Sequence, residues 1–216
     1  MQTDQSNFPV LSPVEARVLG SLVEKKELTP DVYPMTLNAL MAAANQKTAR
    51  VPVMELDVGQ VRQALSGLEK KALVRQVFAS RVERYEHLMA QKFSLTRGQI
   101  TLLGLMLLRG QQTAFELLAR VERMAGYPGV EALRDDIDLM IGRRPPLVKL
   151  IERGPGQRED RYAHLLSGDV VAMQNTGRTA HVEPVRDDLV TALEHRVDEL
   201  ERQVAALTAR LDDLGA

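Results

Sequence analysis

A short pattern that occurs twice constrains this chain more than any other feature. Arg84-Tyr85-Glu86-His87-Leu88 recurs as Arg161-Tyr162-Ala163-His164-Leu165, and a Leu-Val pair followed by a basic residue precedes each copy. The gap between these two landmarks is three residues longer in the second copy. The tip of a β-hairpin tolerates such an insertion. We therefore predict an internal repeat whose copies each end in a hairpin.

Helix signals precede each hairpin in the same order. Ser12 followed by Pro13 and Glu15 is typical of a helix start. In the second copy, Thr96 begins the corresponding helix and Gly110 ends it. Apolar residues at helical spacing then predict two further helices in each copy. In chain order, these helices cover 34–44 and 57–71 in the first copy and 113–124 and 129–142 in the second, with strands over 73–79, 82–88, 147–153 and 160–166.

Three helices followed by a two-stranded hairpin is the arrangement of a winged-helix domain. The predicted fold class is therefore mainly α with small β hairpins, an α+β chain of two tandem winged-helix domains and a C-terminal coiled-coil helix. A pair of unrelated helix–hairpin units remains the alternative. The predicted segments are an N-terminal arm over 1–11, domains over 12–95 and 96–167, a linker over 168–185 and the coiled-coil helix over 186–216.

The C-terminal segment carries a heptad pattern with Leu at every d position and β-branched residues at most a positions. This choice favours a parallel two-stranded coiled coil, and therefore a homodimer. A helix that packs back on its own chain remains the alternative. The predicted dimerisation residues are Val190, Leu193, Val197, Leu200, Val204, Leu207, Leu211 and Leu214.

Composition narrows the class of protein. The chain contains no Cys, which excludes disulfides, thiolate metal sites and a cysteine nucleophile and suits a reducing compartment. The first residues lack the pattern of a signal peptide, and the most apolar stretch, 100–108, is about half the length that crosses a bilayer. We therefore expect a cytoplasmic protein without a membrane partner.

Residues suited to catalysis or metal binding do not form a recognisable site. The four histidines do not stand at metal-ligand spacing, and no nucleophile motif or phosphate loop is present. His87 and His164 occupy equivalent places in the repeat, which indicates a shared structural role in the hairpin. We expect a binding protein that is not an enzyme and needs no cofactor or metal.

Double-stranded DNA is the preferred candidate partner. The predicted third helix of the first domain presents Gln and Lys, side chains that pair with adenine edges, guanine edges and phosphates. The candidate nucleic-acid-binding residues are Lys47, Arg50, Gln60, Gln63, Ser66, Lys70, Lys71, Arg81 and Arg84. An ordinary solvated helix surface remains the alternative at these positions.

The second domain differs at the same place. Its third helix turns Glu131, Arg134, Asp135 and Asp138 outward, and carboxylates facing a groove lined by phosphates repel DNA. We expect this copy to contact protein or to brace the first domain. An adaptor that uses both domains as scaffolds for protein partners, without DNA, is therefore the alternative function.

The whole chain from about residue 12 resembles the YceH family of bacterial proteins. The resemblance is carried by Tyr33-Pro34-Met35-Thr36-Leu37-Asn38-Ala39-Leu40, Asn45-Gln46-Lys47-Thr48, Pro52-Val53-Met54, Leu107-Leu108-Arg109-Gly110 and His164-Leu165-Leu166-Ser167-Gly168. It implies tandem winged helices with a C-terminal helix, and it implies no reaction. Two positions depart from the family's pattern: Val51 replaces an expected acid, and Ala49 replaces an expected Asn or Ser.

Overall fold

The computed structural model describes residues 9–79 and 82–168, which lie within one compact unit, Met1–Ala172. The predicted coiled-coil helix with its dimerisation residues, nearly all of the predicted linker and Arg81 lie outside the described residues. Within the described ranges, no helix has the length and apolar character needed to cross a membrane.

The first half consists of three main helices and a three-stranded antiparallel sheet. Its sheet order is β1-β3-β2, so the short strand β1 pairs with the second strand of the hairpin. In chain order the elements are α1 (Pro13–Leu28), a 3-10 turn (Pro30–Val32), β1 (Met35–Thr36), α2 (Leu37–Ala44), α3 (Val58–Lys70), β2 (Val74–Ala79) and β3 (Val82–His87).

The second half repeats this order with a two-stranded sheet. A short helix, α4 (Met89–Phe93), connects the halves. The elements that follow are α5 (Arg97–Arg109), α6 (Ala114–Val121), α7 (Val130–Ile141), β4 (Val148–Ile151) and β5 (Arg161–His164). The predicted fold class is confirmed at the level of a mainly α chain with small β hairpins.

The repeated tyrosine marks equivalent positions in the two halves. Met35 of β1 pairs with Tyr85, and Gln112 forms the corresponding antiparallel bridge to Tyr162. The arginines beside these tyrosines also match, since Arg84 donates to the carbonyl of the residue before Met35 and Arg161 donates to the carbonyl of the residue before Gln112. The sequence repeat is therefore a repeat of backbone pairing as well.

Capping boxes fix where four of the helices begin. Each pairs an N-cap side chain with the residue three positions later, so that both otherwise free N–H groups are bonded. The pairs are Ser12 with Glu15, Asp57 with Gln60, Thr96 with Gln99, and Thr113 with Glu116. The predicted starts of α1 and α5 and the predicted end of α5 at Gly110 are confirmed.

The structure corrects several predicted boundaries. The helix predicted over 34–44 begins only at Leu37, because Met35 and Thr36 are extended and pair with β3. The strands of the second hairpin are shorter than predicted, since only the paired residues next to the core form a ladder. Helix α4 was not predicted because its five residues are too few to show a period.

Helices α1 and α5 form the centre of the unit. Both are buried on every side over ten residues, Glu15–Glu24 and Gln99–Leu108. Their close approach depends on two glycines at equivalent positions: Gly20 packs against Leu107 and Leu108, and Gly104 packs against Val23. The two halves therefore share one core rather than meeting at a polar boundary.

We predict that Gly104→Ala lowers the free energy of unfolding by about 1–3 kcal/mol. A Cβ at this position would lie 2.5 Å from Cγ1 of Val23. This overlap outweighs the gain of up to about 1 kcal/mol that alanine brings to a helix. Urea unfolding measures the change. Gly126→Ala is the matched control, because nothing lies within 4 Å of its added methyl; equal stability of the two variants would refute the close packing.

Candidate nucleic-acid interface

The side of α3 that faces away from the core carries polar and basic side chains. Gln63, Ser66 and Lys70 lie along its centre and are exposed, and Arg62 is exposed at one edge. The acid Glu69 lies at that same edge. The opposite side packs into the core through four apolar residues: Val61, Ala64, Leu65 and Leu68. Helix α3 therefore turns amide, hydroxyl and cationic groups toward solvent along its length.

An open groove of about 770 Å³ separates the start of α1 from α3. Its walls include Ser12 and Glu15 on one side and Gln63, Ser66 and Lys70 on the other. The groove leaves the outward side of α3 accessible to a ligand over about two helical turns.

Glu15 determines how α1 meets α3. One carboxylate oxygen accepts the N–H of Ser12 at 2.7 Å, and the other forms an ion pair with Lys71. A Cβ at Gly67 would collide with this carboxylate, so glycine is needed for the contact. Burial alone raises the pKa of Glu15, but Lys71 and Ser12 outweigh it and lower the pKa below its usual value. Lys71 is thus held by α1, which makes it a structural cation first.

Gln60 is also partly committed within the protein. Its side-chain oxygen accepts the backbone N–H of Asp57 at 2.9 Å, and the backbone N–H of Gln60 donates to the Asp57 carboxylate at 2.8 Å. Reading an adenine requires both the oxygen and the NH₂ of an amide. Gln63, which has no such capping role, is therefore better placed than Gln60 to read a base.

Arg50 lies inside the protein and not on the predicted interface. Only 3% of the residue is exposed, and its guanidinium makes two 2.8 Å hydrogen bonds to the Glu24 carboxylate and further bonds to the Ala43 carbonyl. Burial raises the pKa of Glu24, but Arg50 and then Lys25 overcome this and lower it. A phosphate has no access to this ion pair, so the predicted phosphate contact at Arg50 is wrong.

A second buried arginine anchors the loop before α3. Arg17 is 1% exposed and donates to the carbonyls of Ala44 and Pro52. Burial, and then the charge of Arg50, lower the pKa of Arg17. The N–H of Val51 also donates to the carbonyl of Leu108 at 2.9 Å. The loop is therefore tied to both α1 and α5, and it holds the start of α3 in place.

Ala49 and Val51, which depart from the pattern of the YceH family, both lie in the loop before α3. Ala49 adopts a left-handed backbone conformation with φ of 62°, which Asn adopts more readily than Ala. Val51 is exposed and meets its neighbours through its backbone N–H. Neither side chain is part of the polar surface of α3.

The remaining residues of the predicted interface are Lys47, Arg81 and Arg84. Lys47 is exposed in the loop before α3. Arg84 is half-buried and donates to the carbonyl of Pro34 at 2.7 Å, which ties β3 to the chain before β1. Arg81 lies outside the described residues. Of the predicted residues, Gln60, Gln63, Ser66 and Lys70 are exposed and line the groove.

Arg62 is a candidate that the sequence prediction missed. It is exposed and lines the groove. The residue follows buried Val61, so a strict helical projection places it at the edge of the outward side rather than at its centre. The same helical projection could have identified Arg62, because a long arginine side chain at the edge of a helix face reaches over that face.

The matching helix α7 presents the opposite chemistry. The two helices align through their N-caps, Asp57 and Gly129, and through the buried pairs Val61 with Leu133, Leu65 with Ile137, and Leu68 with Met140. In this register, the positions of Gln63, Ser66 and Gly67 are taken by Asp135, Asp138 and Leu139. One framework thus carries two different outward surfaces.

The repeated histidines lie in the two hairpins and away from the groove. Both ring nitrogens of His87 and Nδ1 of His164 are buried without a hydrogen-bond partner among the described residues. Burial lowers the pKa of His87 to about 3, with a smaller contribution from Lys26, and burial lowers that of His164 to about 4. Both are neutral packing residues at neutral pH, in keeping with a structural role.

Over residues 9–79 and 82–168, no three His, Asp or Glu side chains are grouped in a way that could hold a metal ion.

The chain is similar to known bacterial proteins over most of its length. Residues 11–157 match the family model "Protein of unknown function, DUF480". A UPF0502 protein of Mesorhizobium japonicum is 64% identical over 210 residues, covering 97% of this chain and 98% of the relative. UPF0502 proteins of Xanthomonas axonopodis pv. citri and Stenotrophomonas maltophilia are 49% and 46% identical, and each alignment covers at least 95% of both chains.

We predict that the free energy of unfolding decreases as the pH falls from about 6.5 to about 4.5. The folded-state pKa values, about 3 for His87 and about 4 for His164, lie below the ordinary 6.5. The unfolded chain therefore takes up protons that the folded chain does not. The slope approaches about 1.4 kcal/mol per pH unit for each histidine. Urea unfolding at a series of pH values measures it.

The control for this pH dependence is a chain with His87→Leu and His164→Leu. Its unfolding free energy should change much less over the same pH interval, because neither side chain can then take up a proton. An unsubstituted chain whose stability is constant over this interval would contradict the burial of the two imidazoles.

Proposed function

The chain belongs to the DUF480 family, which includes the UPF0502 and YceH-type proteins, and we propose that it binds double-stranded DNA through α3. One observation carries the proposal: the outward side of α3 combines Arg62, Gln63, Ser66 and Lys70 beside an open groove. The equivalent positions on α7 are Arg134, Asp135, Asp138 and Gly142, so acids replace the two central polar residues and no cation replaces Lys70. The DNA-binding activity is therefore assigned to the first half alone.

The element order supports a winged-helix interpretation of both halves. Each has three helices followed by a hairpin, and each has a short extended segment before its second helix that pairs with the hairpin. In helix-turn-helix proteins of this kind, one helix enters the major groove and neighbouring elements contact the backbone. In this proposal α3 is the helix that enters the groove, and β2 and β3 form the wing.

The outward residues of α3 divide into two roles. Gln63 and Ser66 at the centre are suited to base edges, because amides and hydroxyls supply directional hydrogen bonds. Arg62, Lys70 and Lys47 supply positive charge for phosphates. Lys71 is paired with Glu15, which offsets its charge, so it has no phosphate contact of its own in this proposal. Arg50 has no role in the interface and instead supports the loop before α3.

A dimer extends this proposal. The heptad pattern over 186–216 would join two chains and present two α3 helices to two half-sites. We place this activity in the cytoplasm, which holds bacterial DNA. Light scattering on the full chain and on a chain ending at Pro184 is the test: a full-length dimer and a truncated monomer are expected, and a full-length monomer would contradict the dimer.

We predict that the full chain binds a duplex in a fluorescence-anisotropy titration at about 50 mM salt. Arg62→Ala and Lys70→Ala should each weaken this binding and reduce the slope of log K against log salt by about one, because each removes one phosphate contact. Gln63→Ala should instead reduce discrimination between duplex sequences, by about 1–3 kcal/mol at one position.

Arg123→Ala is the matched control, since Arg123 is an exposed cation in the second half. Its affinity for duplex DNA should equal that of the unsubstituted chain. No duplex binding at low salt, or equal losses from Arg123→Ala and Lys70→Ala, would contradict the proposal. The adaptor interpretation predicts the first of these two results.

A further inference from the structure

The outward side of α7 combines an exposed leucine with carboxylates. Leu139 is 63% exposed, and Asp135 and Asp138 beside it are exposed as well. On the neighbouring helix α6, Phe115 is 51% exposed. The Arg134 guanidinium lies 5.9 Å from the Phe115 ring centroid, so Leu139 is the exposed large apolar side chain of α7 itself. An exposed apolar side chain rimmed by charged residues suits a partner contact.

The fold itself does not require Leu139. The equivalent position in the first half is Gly67, where a side chain would collide with the Glu15 carboxylate. The second half has Gln99 in place of Glu15, and the Gln99 amide donates to Asp136 at 2.8 Å rather than covering the outward side of α7. Position 139 is thereby open, and the leucine placed there points to solvent instead of the core.

The carboxylates near Leu139 are of two kinds, while the nearby cations Arg134 and Arg143 are engaged with Glu131 and with the carbonyl of Phe93. Asp136 is used internally, since it accepts hydrogen bonds from Tyr127 at 2.7 Å and from Gln99. Asp135 and Asp138 are at the surface, where Asp135 lies about one turn before Leu139 and Asp138 directly precedes it. This side of α7 therefore offers two solvated carboxylates to a cationic partner.

A shallow pocket of about 520 Å³ lies against the same residues. Its walls are Asp135, Asp138, Leu139, Gly142 and Arg143. Gly142 leaves the space beyond Leu139 open, and Arg143 is turned away to donate to the carbonyl of Phe93. The pocket thus has an apolar wall with a carboxylate rim, which suits an aliphatic side chain flanked by basic ones.

We propose that this surface of α7 binds an amphipathic helix of a partner protein, with an aliphatic residue on Leu139 and lysines or arginines on Asp135 and Asp138. Charge complementarity selects a basic partner helix, because the two carboxylates repel both nucleic acid and an acidic helix. Helix recognition of this type relies on a few apolar anchors at helical spacing. The second half then recruits protein while the first half contacts DNA.

The test uses ¹⁵N-labelled full-length chain and a synthetic helical peptide of about 18 residues, or about five turns, with Leu on one side and Lys on the other. Amide chemical shifts over 135–142 should change on titration, and those over 58–70 should not. Leu139→Ser and the pair Asp135→Asn with Asp138→Asn should each weaken binding by about tenfold, as for anchor residues of an interface. A peptide with Glu in place of every Lys should not bind.

Asp31→Asn with Val32→Ser is the matched control, because it removes an exposed acid and a 51% exposed apolar residue from the first half. This variant should bind the Lys peptide with unchanged affinity. Shift changes centred elsewhere, binding of the Glu peptide, or unchanged affinity of folded Leu139→Ser would each overturn the proposal. Leu139→Ser should leave duplex binding unaltered, so the two proposals fail or succeed independently.

Discussion

The close packing of α1 against α5 is the contact on which the rest of the structure depends. Gly20 and Gly104 allow the two helices to approach, and each helix is then surrounded by the other elements of its own half. Burial on every side explains why apolar residues occur around the whole circumference of both helices and why the buried polar residues Arg17, Ser21 and Glu24 of α1 have hydrogen-bond partners inside the protein. Two buried cations connect α1 to the loop before α3: Arg17 donates from α1 to the loop, and Arg50 donates from the loop to α1. The position of α3 therefore depends on the packing of α1.

A shared core has a consequence for how the two halves can differ. Residues that face the centre are constrained by packing in both copies, while the outward sides of α3 and α7 touch nothing that fixes their chemistry. When the two helices are aligned, buried Val61 corresponds to buried Leu133, whereas Gln63 and Ser66 correspond to Asp135 and Asp138. The two halves thus differ in the chemistry of the outward sides of α3 and α7, where binding functions arise.

Local signals in the sequence were sufficient for most of the fold. The capping residues Ser12 and Thr96 and the helical spacing of apolar residues act over three to seven residues, so they are visible without a structure. Met35 and Thr36 were assigned to a helix because their strand exists only through pairing with β3. Tertiary pairing of that kind leaves little trace in a local pattern.

The candidate site was predicted less completely, and the errors share one cause. Arg50 and Lys71 are basic residues next to α3, but their partners Glu24 and Glu15 come from α1, which is distant in the chain. Sequence spacing gives no information on such ion pairs. Gln63, Ser66 and Lys70 were identified because the helical period alone turns them outward.

The most direct measurement is amide hydrogen exchange of the full chain with and without duplex DNA, followed by mass spectrometry. The account predicts slower exchange over 58–70 when DNA is bound and unchanged exchange over 130–141. Equal protection of both helices, or protection of α7 alone, would contradict the assignment of DNA binding to the first half.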